Sequence, residues 1–97
     1  MAFPGHISDY FTVVCFDQSL NFKKGVFAFK AVGILKQAVA QATNVPVAMQ
    51  IMMCNGRVLF DELTLADQIY NFGNMQSFQI YMCVRSVFKQ YTQSNKK

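Results

Sequence analysis

The sequence predicts an α+β fold in which several short strands accompany one helix. Runs of aromatic and β-branched residues at 10–16, 49–54 and 78–84 are bounded by turn residues, which is typical of strands. Residues 32–43 instead repeat their apolar side chains at one-turn spacing, which indicates a helix. With 97 residues and no internal repeat, the chain has room for one small domain.

The first two strands are expected to form a hairpin. Residues 10–16 are apolar on both faces apart from Thr12, and the polar residues 17–19 end the run. Residues 22–29 are predicted as the second strand, with an irregular start at Lys23, Lys24 and Gly25. A hairpin is the shortest connection between two such runs.

One helix is predicted at residues 32–43. The segment Asn44-Val45-Pro46 ends it, because the residue before proline disfavours helical geometry and proline lacks the N–H that would continue the ladder. Its apolar stripe comprises Ile34, Leu35, Ala38, Val39 and Ala42, and its solvent-facing side comprises Lys36, Gln37 and Gln41.

The second half of the chain returns to strands. After the strand at 49–54, Asn55-Gly56 is a strong hairpin signal that leads into a short strand at 57–60. Thr64 is placed to cap a short helical turn. The last strand, at 78–84, alternates inward-facing Phe78, Ile80, Met82 and Val84 with outward-facing Gln79, Tyr81, Cys83 and Arg85.

The composition predicts a protein partner. Hydrophobic residues make up 53% of the chain and charged residues 14%, against about 45–50% and about 25% in average globular chains. A domain of this size buries only about two-thirds of the surface of its unfolded chain, so some apolar surface is expected to stay exposed. The net charge of +4 is dispersed rather than clustered with aromatic residues, so nucleic-acid binding is not expected.

The cysteines and the chain ends give the remaining expectations about organisation. Cys15, Cys54 and Cys83 are odd in number and widely spaced, which predicts free thiols in a reducing compartment, cytoplasmic or nuclear. No apolar run approaches the roughly 18 residues of a membrane span. We expect a leader at residues 1–9, the domain at residues 10–85, and at residues 86–97 a polar and basic tail in which a following element starts.

Catalytic chemistry finds no support in the sequence. His6 is the only histidine and lies in the leader, so no base stands near a cysteine nucleophile. Closely spaced metal ligands and a glycine-rich phosphate loop are both missing. We therefore expect no enzyme activity, no metal and no cofactor.

The spacing of four landmarks resembles ubiquitin and the ubiquitin-like domains. They are the helix stop Asn44-Val45-Pro46, the turn Asn55-Gly56-Arg57, Leu59, and Thr64-Leu65-Ala66-Asp67. Ubiquitin has Gly-Ile-Pro, Ala-Gly-Lys, Leu and Thr-Leu-Ser-Asp at the same relative spacing. The resemblance covers residues 10–85 and is weaker in the first half.

The resemblance implies a ubiquitin-like β-grasp, a mixed sheet of four to five strands packed on one helix. The core would then join the inward side of the helix to the inward side of the sheet. Its expected members are Val32, Leu35, Val39, Met52, Leu59, Leu65, Phe78 and Ile80.

The resemblance also implies a binding surface on the outer face of the sheet, the face turned away from the helix. The matching positions are Met53 and Tyr81, and Ile51 and Cys83 flank them with the same side-chain parity. Arg57 and Arg85 are expected to steer a partner at the rim. At Ile51 and near Cys83 ubiquitin has basic residues, so this face is the more apolar of the two.

The function that follows is that of a non-conjugated ubiquitin-like domain that binds other proteins. It would be either an adaptor or the N-terminal domain of a larger protein. Conjugation needs a terminal Gly-Gly, and all five glycines here are isolated, while Val87, Phe88 and Tyr91 follow the last strand. Ubiquitin-like domains of this kind dock in ubiquitin-proteasome, kinase or autophagy pathways. A self-associating scaffold is the rival from another class, and a conjugatable modifier and an RNA-binding domain are further alternatives.

Overall fold

The computed structural model describes residues 8–16, 18–74 and 77–85, and the strands in these ranges form one mixed five-stranded sheet. The strand order is β2-β1-β5-β3-β4, with β1 and β5 parallel and all other neighbours antiparallel. The strands are β1 (Tyr10–Cys15), β2 (Gln18–Lys23), β3 (Gln50–Cys54), β4 (Arg57–Val58) and β5 (Gln79–Val84).

The principal helix has the bounds that the sequence predicts. It spans Val32–Thr43, and Asn44 ends it in the left-handed conformation, with its N–H donating to the carbonyl of Ala40. In chain order the helices are α1 (Lys24–Phe27), α2 (Val32–Thr43) and α3 (Leu65–Gln68), with 3-10 turns at Val47–Met49 and Phe72–Asn74. The predicted cap is also confirmed, since Thr64 Oγ1 accepts a hydrogen bond from the N–H of Asp67 at 3.1 Å.

The core lies between α2 and the inner face of the sheet, as expected. All eight predicted core residues are buried. An aromatic cluster that the sequence did not reveal joins them, centred on Phe11, whose ring stacks on Phe78 with a centroid distance of 5.1 Å. Phe22, Phe27 and Phe72 surround Phe11. Many of the apolar residues that make this chain unusually hydrophobic therefore lie in the core.

The second strand was predicted in the wrong place. It spans Gln18–Lys23, and the residues expected to continue it form α1 instead. Cys15 pairs with Gln18, so only two residues connect β1 to β2, and Phe16 adopts a left-handed φ of 54° to start that turn. No glycine or asparagine announces the turn. The hairpin itself, and its antiparallel pairing, are confirmed.

The predicted orientation of α2 is partly wrong. Lys36, expected on the solvent side of α2, is buried, while Ile34 and Ala42 of the predicted stripe are exposed. β1 is apolar on both faces in sequence, yet only Phe11, Val13 and Cys15 are buried. Its other face is partly open to solvent, because no second layer covers that side of the sheet within the described residues.

The remaining differences concern boundaries. β3 and β5 each begin one residue later than predicted, and β4 is two residues long rather than four. No helix in the described ranges has both the length and the apolarity to cross a membrane. Nearly all of the predicted leader, and the predicted tail at 86–97, lie outside the described residues.

Candidate functional site

The outer face of the sheet brings together the apolar side chains expected at a binding surface. Met53 pairs with Tyr81 and Ile51 pairs with Cys83 across β3 and β5. Residues directly opposite each other on neighbouring strands place their Cβ atoms about 4.5–5.5 Å apart on the same face. The four side chains therefore form one continuous patch.

Exposure makes this patch accessible to a partner. Tyr81 is 50% exposed, Cys83 is exposed, and Ile51 and Met53 are half-buried. The Tyr81 hydroxyl donates a hydrogen bond to Gln79 Oε1 at 2.7 Å, which orients the ring. A hollow of about 440 Å³ lies beside Met53, Gln79 and Tyr81.

The structure adds two residues that the sequence reasoning missed. Val14 of β1 pairs with Tyr81, and Val58 of β4 pairs with Met53. Val14, Tyr81, Met53 and Val58 thus form one row across four strands, which we call the outer row. Val58 is 53% exposed. The register of a two-residue Asn-Gly hairpin would have placed Val58 opposite Met53 from sequence.

The two predicted rim arginines occupy different positions. Arg85 follows β5 with the parity of Tyr81 and Cys83, and its Nε donates to the carbonyl of Ala48 at 3.2 Å. Arg57 is exposed, but it pairs with Cys54, which faces the core. Arg57 therefore lies at the edge of the sheet, at a register position that belongs to the inner face.

The sheet carries no negative charge within the described strands. None of the five strand sequences contains Asp or Glu. Lys23 pairs with Tyr10, which has the parity of Val14, so Lys23 lies at a corner of the outer face, and Arg85 follows the central strand β5 at the opposite end of the sheet. The outer face therefore consists of an apolar row with cations nearby.

The thiols of the described residues differ in accessibility. Cys15 and Cys54 are free and buried, and burial raises the pKa of both thiols above the ordinary value of 9.0. Both remain protonated at neutral pH and are poor nucleophiles there. Cys83 is free and exposed. Across 8–16, 18–74 and 77–85, no three His, Cys, Asp or Glu residues form a group that could hold a metal ion.

A second apolar surface lies beside α3 and adjoins the outer face at Val58 and Lys23. It is a cleft of about 1040 Å³ that Phe29, Phe60, Leu63 and Tyr70 line. Phe60 and Tyr70 are 63% and 87% exposed. Gln68 fixes this wall, because its side chain accepts a hydrogen bond from the N–H of Phe60 and donates one to the carbonyl of the same residue.

Comparisons with known proteins show the fold. No protein-family model and no curated protein sequence matches the chain. Among solved structures, the chain is similar to the crystal structure of ATBAG1 in complex with HSP70, with a TM-score of 0.66 and 12% sequence identity. The match covers 90% of this chain and 47% of the other, so this chain spans about half the length of that one. The fold is the expected ubiquitin-like β-grasp.

Proposed function

We propose that this chain is a non-conjugated ubiquitin-like domain that binds another protein through the outer face of its sheet. The observation that carries the proposal is the outer row, an exposed apolar strip on a face that no other element of the described residues covers. Exposed apolar strips with a polar surround mark protein interaction sites. ATBAG1, which has a similar fold, has been solved in complex with HSP70, and this supports a protein as the class of partner.

Binding would come from the burial of a few side chains at the centre of the face. Tyr81 and Met53 hold the middle of the outer row, and tyrosine is among the residues that most often dominate binding energy. Ile51 and Cys83 extend the buried area along the strands. Arg85 would steer an approaching partner, and Arg57 would act only as an exposed charge at the sheet edge.

The biological setting follows from the same proposal. Bulky residues, Val87, Phe88 and Tyr91, follow the last strand, so we propose that the domain acts without being conjugated to a target. We propose an adaptor role, or that of an interaction domain within a longer protein, in the cytoplasm or nucleus. The ubiquitin-proteasome, kinase and autophagy pathways are the settings in which such modules dock.

Amide chemical-shift mapping with candidate partners tests the proposal. HSP70 and a panel of ubiquitin-receptor fragments are titrated into the labelled domain. The largest shifts are expected at Met53 and Tyr81. Met53→Asp should weaken binding at least about tenfold, because a carboxylate would then be buried at the centre of the contact.

Ile34→Asp is the matched control, since Ile34 is an exposed apolar residue on α2 rather than on the outer face. It should leave the affinity unchanged. The outer-face assignment is wrong if a partner binds Met53→Asp as tightly as the unaltered domain, or if its shifts centre on α2.

A further inference from the structure

The cleft beside α3 holds most of the large apolar side chains that this domain leaves exposed. Within the described residues ten such side chains are exposed, and six of them line the cleft. The six are Tyr10, Phe29, Val58, Phe60, Leu63 and Tyr70. A concentration of exposed apolar side chains with polar residues around it marks a binding site.

The wall of the cleft can be followed from one edge of the sheet to the other. β4 is an edge strand and leads into Phe60, whose backbone is hydrogen-bonded to the side chain of Gln68 in α3. The N–H of Ala66, also in α3, donates to the carbonyl of Ala28, directly after α1, at 3.0 Å. α1 follows β2, the other edge strand. The wall therefore joins the two edge strands through α3 and α1.

Charges along this wall alternate in sign. Arg57 of β4 lies at one end, Lys23 of β2 lies at the other, and Asp67 of α3 lies between them. Asp9 and Lys24 also line the cleft, and the N–H of Lys24 donates to the carbonyl of Asp9 at 2.8 Å. Burial lowers the pKa of the Lys24 ammonium and the Asp9 charge opposes that shift, so these two charges act on each other. A ligand therefore meets a cation at each end and a carboxylate in the middle.

The distance between the two edge strands fits a short extended segment. β2 and β4 are four strand spacings apart, which at about 4.8 Å each gives about 19 Å. An extended chain rises about 3.3 Å per residue and would cover this distance with about six residues. A helix of the same length and about 10 Å in diameter would occupy about 1,500 Å³. That exceeds the cleft volume of about 1040 Å³, so the cleft fits an extended segment better than a helix.

We propose that this cleft binds an extended segment of about six residues from a partner protein, with an acidic side chain at each end, a basic one in the middle and apolar ones between them. The apolar side chains would be buried against Phe60 and Tyr70, and the charges would fix the position of the segment along the wall. The inference goes beyond the proposed function, because the outer face adjoins the cleft but does not include Arg57, Phe60 or Tyr70.

A designed peptide, Glu-Phe-Leu-Lys-Phe-Glu with both ends blocked, is the probe. Amide chemical-shift titration of the full chain in salt of about 50 mM should give a Kd below about 1 mM, with the largest shifts at Phe60 and Tyr70. Binding should weaken several-fold in salt of about 500 mM. The control peptide Phe-Glu-Leu-Lys-Glu-Phe has the same composition with its carboxylates moved inward, and should bind at least about fivefold more weakly.

Charge-reversal variants test the two ends of the cleft. Arg57→Glu and Lys23→Glu should each weaken binding at least about tenfold, because each places a carboxylate against an acidic end of the probe. Lys30→Glu makes the same change at an exposed lysine outside the cleft lining and should leave the affinity unchanged. Tyr70→Ser should also weaken binding, and because Tyr70 is 87% exposed its replacement should not disturb folding.

A double variant tests whether the cations act as a pair. Lys23→Glu with Arg57→Glu should prefer the peptide Lys-Phe-Leu-Lys-Phe-Lys to the acidic probe. Lys30→Glu with Arg85→Glu is the matched control, since it has the same net charge and leaves both ends of the cleft intact. This control should still prefer the acidic probe.

The inference is overturned if the acidic probe does not bind at about 1 mM, if the control peptide binds as tightly, or if Lys30→Glu weakens binding as much as Arg57→Glu. Met53→Asp, on the outer face, should leave peptide binding unchanged. A loss of peptide binding in Met53→Asp would assign the peptide to the outer face and refute the cleft. A protein partner that depends on Met53, with no peptide binding in the cleft, would refute this inference and leave the proposed function standing.

Discussion

Replacing the buried Lys36 with methionine should lower the free energy of unfolding by about 2 kcal/mol. The Lys36 ammonium donates to the carbonyl of Gln50 at 2.8 Å and forms an ion pair with Asp61 Oδ1 at 2.6 Å. In turn, the side-chain amide of Gln50 donates hydrogen bonds to the backbone carbonyls of Lys36 and Val45. These bonds join the middle of α2 to the start of β3 and to Asp61, which lies between β4 and α3.

The magnitude follows from what each substitution leaves behind. Methionine keeps the packing of the lysine stem. It leaves the backbone carbonyl of the buried Gln50 without the donor that Lys36 supplies, which costs about 1–3 kcal/mol. Asp61 is 51% exposed, so water can solvate it once its partner is gone. Asp61→Ala instead leaves the ammonium buried without its counter-ion, and should cost about 3–5 kcal/mol.

Urea unfolding followed by circular dichroism measures these differences. Lys30→Met is the control, because Lys30 is exposed and its replacement should change stability by less than about 0.5 kcal/mol. In the double variant Lys36→Met with Asp61→Ala, the loss should fall well below the sum of the single losses, since the stranded charge is gone. The reasoning is refuted if Asp61→Ala is milder than Lys36→Met, or if Lys36→Met matches Lys30→Met.

Two further predictions concern the α3 cap and a buried thiol. Thr64→Ala should lower the free energy of unfolding by about 1 kcal/mol, because the N–H of Asp67 loses its acceptor. Thr64→Ser keeps a hydroxyl acceptor and should lose much less stability in the same urea assay. Equal losses in the two variants would contradict the cap. Burial raises the pKa of Cys15, so the unfolded thiol ionises near 9.0 while the folded thiol stays protonated, and stability is lost as pH rises from 9.0 through the folded pKa. Thermal unfolding at several pH values should show a shallower loss for Cys15→Val than for the unaltered chain, with Cys83→Val unchanged; equal slopes in all three chains would contradict the assignment.

The elements that could be predicted from sequence are those whose ends carry strong local signals. α2 was bounded correctly because Asn44-Val45-Pro46 forbids its continuation, and the Asn55-Gly56 turn fixed the β3–β4 hairpin. The outer-face residues of β3 and β5 were predicted because alternate residues of a strand lie on the same face. The pairing of Met53 with Tyr81 joins residues distant in sequence, and only the resemblance to ubiquitin-like domains placed the two on one patch.

The failures come from tertiary contacts that override local preference. Lys36 occupies the centre of the buried stripe that Val32, Leu35 and Val39 define, yet its charge suggested the solvent side. Its burial is tolerated because Asp61 and the carbonyl of Gln50, both distant in sequence, meet the ammonium. The β1–β2 turn was missed because Phe16 takes a left-handed conformation that a bulky side chain rarely adopts.

The parallel pairing of β1 with β5 gives this domain a mechanical character. The two strands run side by side at the centre of the sheet, and Thr12 to Cys15 pair with Gln79 to Met82. Tension applied at Tyr10 and at Val84 would pull the two strands in opposite directions along their length. The load would then fall on the inter-strand hydrogen bonds together, as shear, rather than on one bond at a time. This domain would therefore resist extension along the chain better than one in which the loaded strands are antiparallel neighbours that separate one hydrogen bond at a time.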